Sequence, residues 1–337
     1  MAKREYWIDH LKLLACILVA TGHFLMSMVE AEILPDTMIH TWFIRSIYYF
    51  HVPLFFMCSG YLYKKKSIVK NLTSWKTNIL EKAITLGIPY FVFSITTWML
   101  KNLFSGSVNT QNDGLLVTLF LKPSSPYWYL YTLFFIFVIT PNFSGRRSAL
   151  MGLLTAVALK YIWAFDIFAT DIYAMTKTFE NLVWFVLGMC LCVFRIPERC
   201  KTRIWKRVGA LCGGLFLAAS VVDFDGLAHS VTVNLVMGAL GCASLFLIIL
   251  QWKPGNELSG FVNMLSKYTM PVYLMHTIFA AGTRVVLLKQ DVNNPAVHLV
   301  AGLAASFIGP MMTAWLMEKV KLDVLIYPRK YMKYKSV

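Results

Sequence analysis

Long apolar runs separated by short polar loops account for most of the chain. Ten runs stand out, at 8–28, 44–63, 80–100, 127–141, 148–166, 181–195, 206–222, 230–251, 264–288 and 296–317. Most approach the length of about 20 residues that an α-helix needs to cross a hydrocarbon layer of about 30 Å. In lipid every backbone N–H and C=O must be paired within the structure, and a single apolar run can do that only as a helix. The pattern predicts an all-α polytopic integral membrane protein with about ten transmembrane helices. The fourth and sixth runs are short for a span, and the ninth starts in a polar stretch and carries Arg284.

The loops alternate in charge. Residues 29–43 hold Glu30, Glu32 and Asp36 with no Lys or Arg, whereas 64–79 hold Lys64, Lys65, Lys66, Lys70 and Lys76. Residues 101–126 are nearly neutral, 142–147 hold Arg146 and Arg147, and 167–180 are acidic on balance. Residues 195–207 carry Arg195, Arg199, Lys201, Arg203, Lys206 and Arg207, and the next loop carries Asp223 and Asp225. The chain ends with Arg329, Lys330, Lys333 and Lys335. Cytoplasmic loops collect Lys and Arg, so both termini are expected in the cytoplasm, which requires an even number of spans.

Composition excludes other classes. Hydrophobic residues make up 58% and charged residues 15%, against roughly 45–50% and 25% in soluble chains. The net charge of +15 would suggest nucleic acid in a soluble protein, but here it sits in the basic loops. No nucleic-acid partner is expected. Membrane lipids with anionic head groups, or anionic cytosolic ligands, suit those basic rims. The first run carries Asp9 and Lys12 and no small-residue cleavage site, so it reads as a retained span rather than a signal peptide. The seven Cys form no disulfide framework and no Cys-x-x-Cys pair, so packing is their expected role and no metal site is expected. One transmembrane domain over 1–337 accounts for the chain, with 318–337 as a short basic cytoplasmic tail.

Ionisable residues inside spans are costly and point to function. Lys12 and His23 are eleven residues apart on the first helix. That spacing turns a helix through about three turns plus 20° and rises about 16 Å, so the two share one stripe. Such a stripe suits a long anionic molecule, with the cation on its phosphates and its reactive end beside the imidazole. An imidazole can accept a proton from an attacking hydroxyl near neutral pH. The spacing equally allows Lys12 to snorkel to the interface and His23 to be a bonded structural histidine. His51 opens the second span, and Ser59-Gly60 within it lets a helix or ligand come close. Tyr127, Trp128, Tyr129 and Tyr131 form either an interfacial belt or a sugar-stacking surface. His276 is a further imidazole within the ninth span, and Lys160 is expected to snorkel outward. His10, His40, His229 and His298 fall near interfaces and receive no role. Glu30 and Glu32 follow His23 closely enough to orient the imidazole or an acceptor.

Together these pieces resemble the acyltransferase 3 family of bacterial membrane O-acyltransferases, in particular its single-domain surface-polysaccharide O-acetyltransferases. Asp9-His10-Leu11-Lys12, followed by ten residues and His23, is similar to the family's Asp-x-Leu-Arg start and its basic-x10-His pattern. Pro53 to Tyr61 is similar to its Pro-Leu-Phe-Phe-x-x-Ser-Gly-Tyr helix, Trp128-Tyr129-Leu130 to its Trp-Phe-Leu element, and Pro271 to His276 to its Tyr-x-Leu-x-His element. The matches run in the family's order from residue 6 to residue 276.

The resemblance implies a cytosolic acyl-CoA donor, usually acetyl-CoA, used as a substrate. It implies an acceptor hydroxyl on a surface polysaccharide or its lipid-linked precursor, and a place in the bacterial cytoplasmic (inner) membrane. His23 takes the catalytic position, Lys12 and Lys82 the acyl-CoA-binding positions, and His51, Ser59, Trp128 and His276 fall in the pore or acceptor region. The chain departs from the family's pattern in three places. Lys12 replaces an Arg, so a point charge stands where a bidentate fork is usual. Lys82 is alone where the family has a pair of cations, with Thr85 at the second position, and Pro126 stands where a His is common. Two other classes suit the composition: a transporter or flippase of a lipid-linked sugar, and a non-catalytic assembly factor. A transporter often shows paired halves with broken helices, and the sequence has no such symmetry. An assembly factor would tolerate loss of both Lys12 and His23.

Overall fold

The computed structural model describes residues 5–66, 69, 71–107, 113–167, 172–224, 230–252 and 257–332. These residues form helices and turns: α1 (Tyr6–Glu30), α2 (Met38–Tyr48), α3 (His51–Lys66), α4 (Leu72–Leu103), α5 (Trp128–Ile139), α6 (Arg146–Ala164), α7 (Tyr173–Val193), α8 (Ile196–Arg199), α9 (Arg203–Val222), α10 (Val231–Leu250), α11 (Glu257–Ser266), α12 (Thr269–Lys289) and α13 (Pro295–Lys319). Seven of them, α1, α4, α7, α9, α10, α12 and α13, are long and apolar enough to cross a membrane. Each of the ten apolar runs contains a helix, but α3 has 16 residues, α5 has 12, and α6 opens on Arg146-Arg147. Length and composition therefore establish seven membrane-length helices.

Three boundaries differ from the sequence pattern. The run 44–63 is two helices, because the ladder tightens at its middle: the Tyr49 N–H still reaches Arg45 O, but the Phe50 N–H bonds Ile47 O. A new helix then starts at His51, and the Phe50 ring occupies the space left by Gly241 of α10. α4 begins eight residues before its apolar run, because Asn71 and Ser74 close a reciprocal capping box at its N-terminus. α7 starts at Tyr173 and takes in Lys177 and Glu180, which the hydropathy pattern assigns to a loop. Those charges pair with each other at 2.8 Å, three residues apart on one face of the helix.

α3 and α7 form a close crossing. A Cβ on Gly60 would lie 1.8 Å from the Phe185 carbonyl oxygen, and one on Gly188 would lie 1.9 Å from the Met57 carbonyl oxygen. The two glycines thus let the backbones touch at reciprocal positions, which is how membrane helices gain packing without a hydrophobic driving force between them. The interior of α1 shows the same logic along one stripe: Ile8, Leu11, Ala15, Val19 and Gly22 are all buried.

The expected basic tail is folded. Turns at Asp323–Leu325 and Pro328–Tyr331 lay it back across the helix ends. Tyr327 Oη donates to Lys267 O at 2.7 Å, Arg329 pairs with Glu81 of α4 at 3.2 Å, and Lys330 and Tyr331 both bond the buried Asp323. Residues 333–337, with Lys333 and Lys335, lie outside the described residues, as do Lys70, Asp171, Asp225 and His229.

Candidate functional site

A cavity of about 1210 Å³ opens at the end of the bundle where α1, α4 and α12 finish and α3, α7 and α10 begin. His23 lines it from α1, His51 from the first turn of α3, Trp128 from the start of α5, and Arg284 from α12. His23 sits half-buried at its inner part, with Nε2 3.3 Å from Ser125 Oγ.

Two ties hold Ser125 there. Tyr127 Oη donates to Leu274 O at 2.9 Å, and Tyr273 Oη donates to Pro126 O. The segment that carries Ser125 is thereby fixed to α12, the helix that carries His276. The His276 ring lies 5.5 Å from that of His23, centroid to centroid. Its Nδ1 faces the carbonyls of Val272 and Tyr273 at 2.9 Å each. A neutral ring donates from that nitrogen, which leaves Nε2 as an acceptor, and Nε2 has no partner among the described residues. His51 is held in the same way, by Nδ1 to Ile47 O at 2.6 Å, with Tyr48 stacked edgewise on it at 4.6 Å. Tyr48 also reaches the His23 ring at 6.3 Å. Three imidazoles, Tyr48 and Ser125 therefore meet around one corner of the cavity.

Several sequence expectations change here. His276 is fully buried behind His23 and does not line the cavity. Ser59 is one step removed from it as well, bonded at 3.2 Å to Tyr129 Oη, which does line it. The aromatic run divides, with Trp128 and Tyr129 in the cavity wall and Tyr127 behind it. Tyr127 is fully buried and lies 2.7 Å from Thr97 Oγ1, while Trp128 lies under the Lys177 ammonium at 5.9 Å. Lys160 does not snorkel outward: it lines the cavity and donates to Glu180 O at 2.9 Å. His10 and His298 are buried among side chains. Of the two candidate carboxylates after His23, Glu30 lines the cavity, and Glu32 lies beyond it in a left-handed turn residue with φ 57°.

Lys12 and Lys82 stand at the opposite end of the bundle and do not line this cavity. Lys82 lies nineteen residues, about 28 Å, before the cavity-lining Lys101 on α4. It shares its surroundings with Lys12, Lys66 and Arg329, whose like charges all act on it, and its ammonium rests 4.7 Å from the centre of the Phe137 ring. Arg329 is the cation that sequence reading missed in this group, because only the folded tail brings it beside α4. Between the two ends, Ala15, Cys16 and Val19 of α1 pack with Phe55 and Cys58 of α3 and Tyr273 of α12. The stripe joining Lys12 to His23 is therefore closed by packed side chains rather than open along its length. Sequence reading also missed Lys101, Asn181 and Lys289 in the cavity wall. Each lies at the end of an apolar run, where a polar residue reads as interfacial. Among the described residues, no group of three or more His, Cys, Asp or Glu could hold a metal ion.

Membrane-length helices around a cavity with charged residues and a histidine in its wall define a multi-pass membrane protein. The profile of the acyltransferase domain of the acyltransferase 3 family matches residues 5–315, and the chain belongs to that family of membrane acyltransferases. It is 28% identical over 161 residues to nodulation protein NolL of Mesorhizobium japonicum, a match that covers 48% of this chain and 42% of NolL. It is 22% identical over 324 residues to inner membrane protein YcfT of Escherichia coli, covering 86% of this chain and 84% of YcfT. No solved structure matches the chain.

Proposed function

We propose that this protein is an O-acetyltransferase of the bacterial cytoplasmic membrane. It moves an acetyl group from cytosolic acetyl-CoA to a hydroxyl of a surface polysaccharide or its lipid-linked precursor. The observation that carries this reading is the placement of His23. It is the histidine of the family's basic-x10-His pattern, and it lies in the wall of a cavity large enough for a sugar, with a hydroxyl 3.3 Å from Nε2.

In this reading the chain makes about ten crossings with both termini in the cytoplasm, as the charge of the loops requires. The cavity then faces away from the cytoplasm, and Lys12, Lys66, Lys82 and Arg329 face the cytosolic donor. Their cluster suits the phosphates of a coenzyme A, which lysines hold as point charges. The thioester arm reaches His23 by parting the side chains that pack between the two ends. His23 Nε2 accepts the proton of the acceptor hydroxyl as its oxygen attacks the thioester carbonyl. The new C–O bond forms, the C–S bond breaks, and the proton passes from the imidazolium to the departing thiolate. Ser125 holds the imidazole plane toward the cavity before the acceptor arrives. His276, buried behind His23 with a free Nε2, keeps that side of the ring within a polar corner.

Inside-out membrane vesicles test the reading. With radiolabelled acetyl-CoA, wild type is expected to release CoA and label lipid-linked or polymeric glycan. His23→Ala is expected to abolish both at an unchanged membrane level. Equal label from wild type and His23→Ala would remove His23 from the mechanism. No label from wild type, with acceptor present and longer acyl-CoAs supplied, would favour a transporter or flippase of a lipid-linked sugar.

A further inference from the structure

The cavity wall carries more positive charge than a neutral sugar needs. Lys101, Lys160, Arg284 and Lys289 line it, against Glu30 and Glu180. Glu180 is already paired with Lys177 at 2.8 Å, which among the described residues leaves Glu30 as the carboxylate in the wall opposing those cations. The positive-inside bias makes cations scarce at this end of the bundle, so their convergence on one cavity is not a consequence of composition.

Arg284 is the centre of the group. It is 5% exposed, yet it faces the cavity from the last two turns of a membrane-length helix. It donates from Nη1 to both the backbone oxygen and the hydroxyl of Ser27. Both acceptors are neutral, and both bonds use one of the guanidinium's three nitrogens. Glu30 acts on Arg284 through its field, and no carboxylate among the described residues lies within ion-pair distance of it. A guanidinium withdrawn from water, without a paired anion and with donors to spare, is a site for an incoming oxyanion. Lys289 is held over the Phe104 ring at 5.9 Å, which joins the end of α12 to the end of α4 and brings its ammonium to the same rim as Lys101.

We infer that Arg284, with Lys101 and Lys289, forms an oxyanion subsite in this cavity, and that the acceptor is a sugar bearing a phosphate or carboxylate. The assignment of that sugar as the acyl acceptor rests on the acyltransferase reading; anion binding by the cavity does not.

Purified full-length protein in detergent is titrated with glucose 1-phosphate, glucuronate, glycerol 3-phosphate and glucose at matched ionic strength. Binding is read as saturable stabilisation of the thermal midpoint. Glucose 1-phosphate or glucuronate is expected to stabilise wild type, and glucose is not. Arg284→Gln is expected to raise the half-saturating concentration about tenfold or more, the effect of losing one charge-assisted contact. If Arg284→Gln unfolds, the double variant Lys101→Gln, Lys289→Gln is expected to weaken binding in the same direction. Equal response to charged sugars and glucose, or unchanged binding in both variants, would overturn the subsite. Glycerol 3-phosphate as effective as glucose 1-phosphate would make it a lipid head-group site and overturn the acceptor assignment. Arg284-dependent anion binding without any acyl transfer in vesicles would leave the subsite standing and remove the acyltransferase reading instead.

Discussion

Replacing Gly188 with alanine tests the crossing on which one wall of the cavity depends. The added Cβ would lie 1.9 Å from the Met57 oxygen, 2.8 Å from its carbonyl carbon and 2.9 Å from the Tyr61 nitrogen. Carbon and oxygen ordinarily approach to about 3.3 Å or more, so α3 and α7 must part by more than 1 Å locally. Every atom in the way is backbone, so no side chain can rotate aside. Overpacking a tight interior costs about 1–3 kcal/mol and sometimes more, and a backbone clash belongs at the upper end. At about 1.4 kcal/mol per tenfold, 3 kcal/mol corresponds to roughly a hundredfold change in the folded ratio. The assay is the thermal midpoint of detergent-solubilised protein, followed by monodispersity. Gly87→Ala and Gly214→Ala are the controls, because a Cβ there meets nothing within 4 Å. They are expected to be neutral or slightly stabilising, since alanine is the better helix former. Gly60→Ala, whose Cβ meets the Phe185 oxygen at 1.8 Å, is expected to match Gly188→Ala. The double variant should cost less than the sum, because one separation of the helices relieves both clashes. A Gly188→Ala midpoint equal to that of Gly87→Ala would refute the backbone-to-backbone crossing.

Three further outcomes follow from the opposite end and from the cavity. Lys12→Gln and Lys82→Gln are each expected to raise the KM for acetyl-CoA about tenfold with kcat little changed, the effect of one charge-assisted phosphate contact; steady-state kinetics in inside-out vesicles checks this. Ser125→Ala is expected to lower the rate of acetyl transfer while leaving some activity, because the acceptor hydroxyl rather than Ser125 reacts; activity as low as that of His23→Ala would assign Ser125 a covalent role. The Tyr331 hydroxyl, followed by Lys330, holds the Asp323 carboxyl below its usual range. A depressed folded-state value contributes stability at neutral pH that is lost as pH falls below about 4. Asp323→Asn at neutral pH, or wild type below about pH 4, should therefore increase hydrogen exchange over 320–332, and unchanged exchange would show that Asp323 does not fasten the tail.

Much of this protein was legible along the chain because a bilayer imposes one-dimensional rules. Apolar length gives helices, and the basic loops give a preferred side. The positions of Lys12, His23 and the Pro53–Tyr61 stretch were enough to indicate the family. Those properties depend on neighbours in sequence, and lipid removes the alternatives. What the residues touch was not legible in the same way. Lys160 and the tyrosines around Trp128 read as interfacial, since a polar group at the end of an apolar run meets water unless another helix supplies its partners. Here Glu180 O, Thr97 and Leu274 O supply them, from helices far away in sequence. His276 stands behind His23 because α12 packs on α1, and Arg329 joins Lys82 because the tail folds over α4. The close crossing of α3 and α7 needed Gly60 and Gly188 to face each other, which each sequence position permits and neither specifies. Hydropathy along the chain thus determined that helices form, and tertiary packing, which decides where desolvated polar groups find partners, determined which of them converge on one cavity.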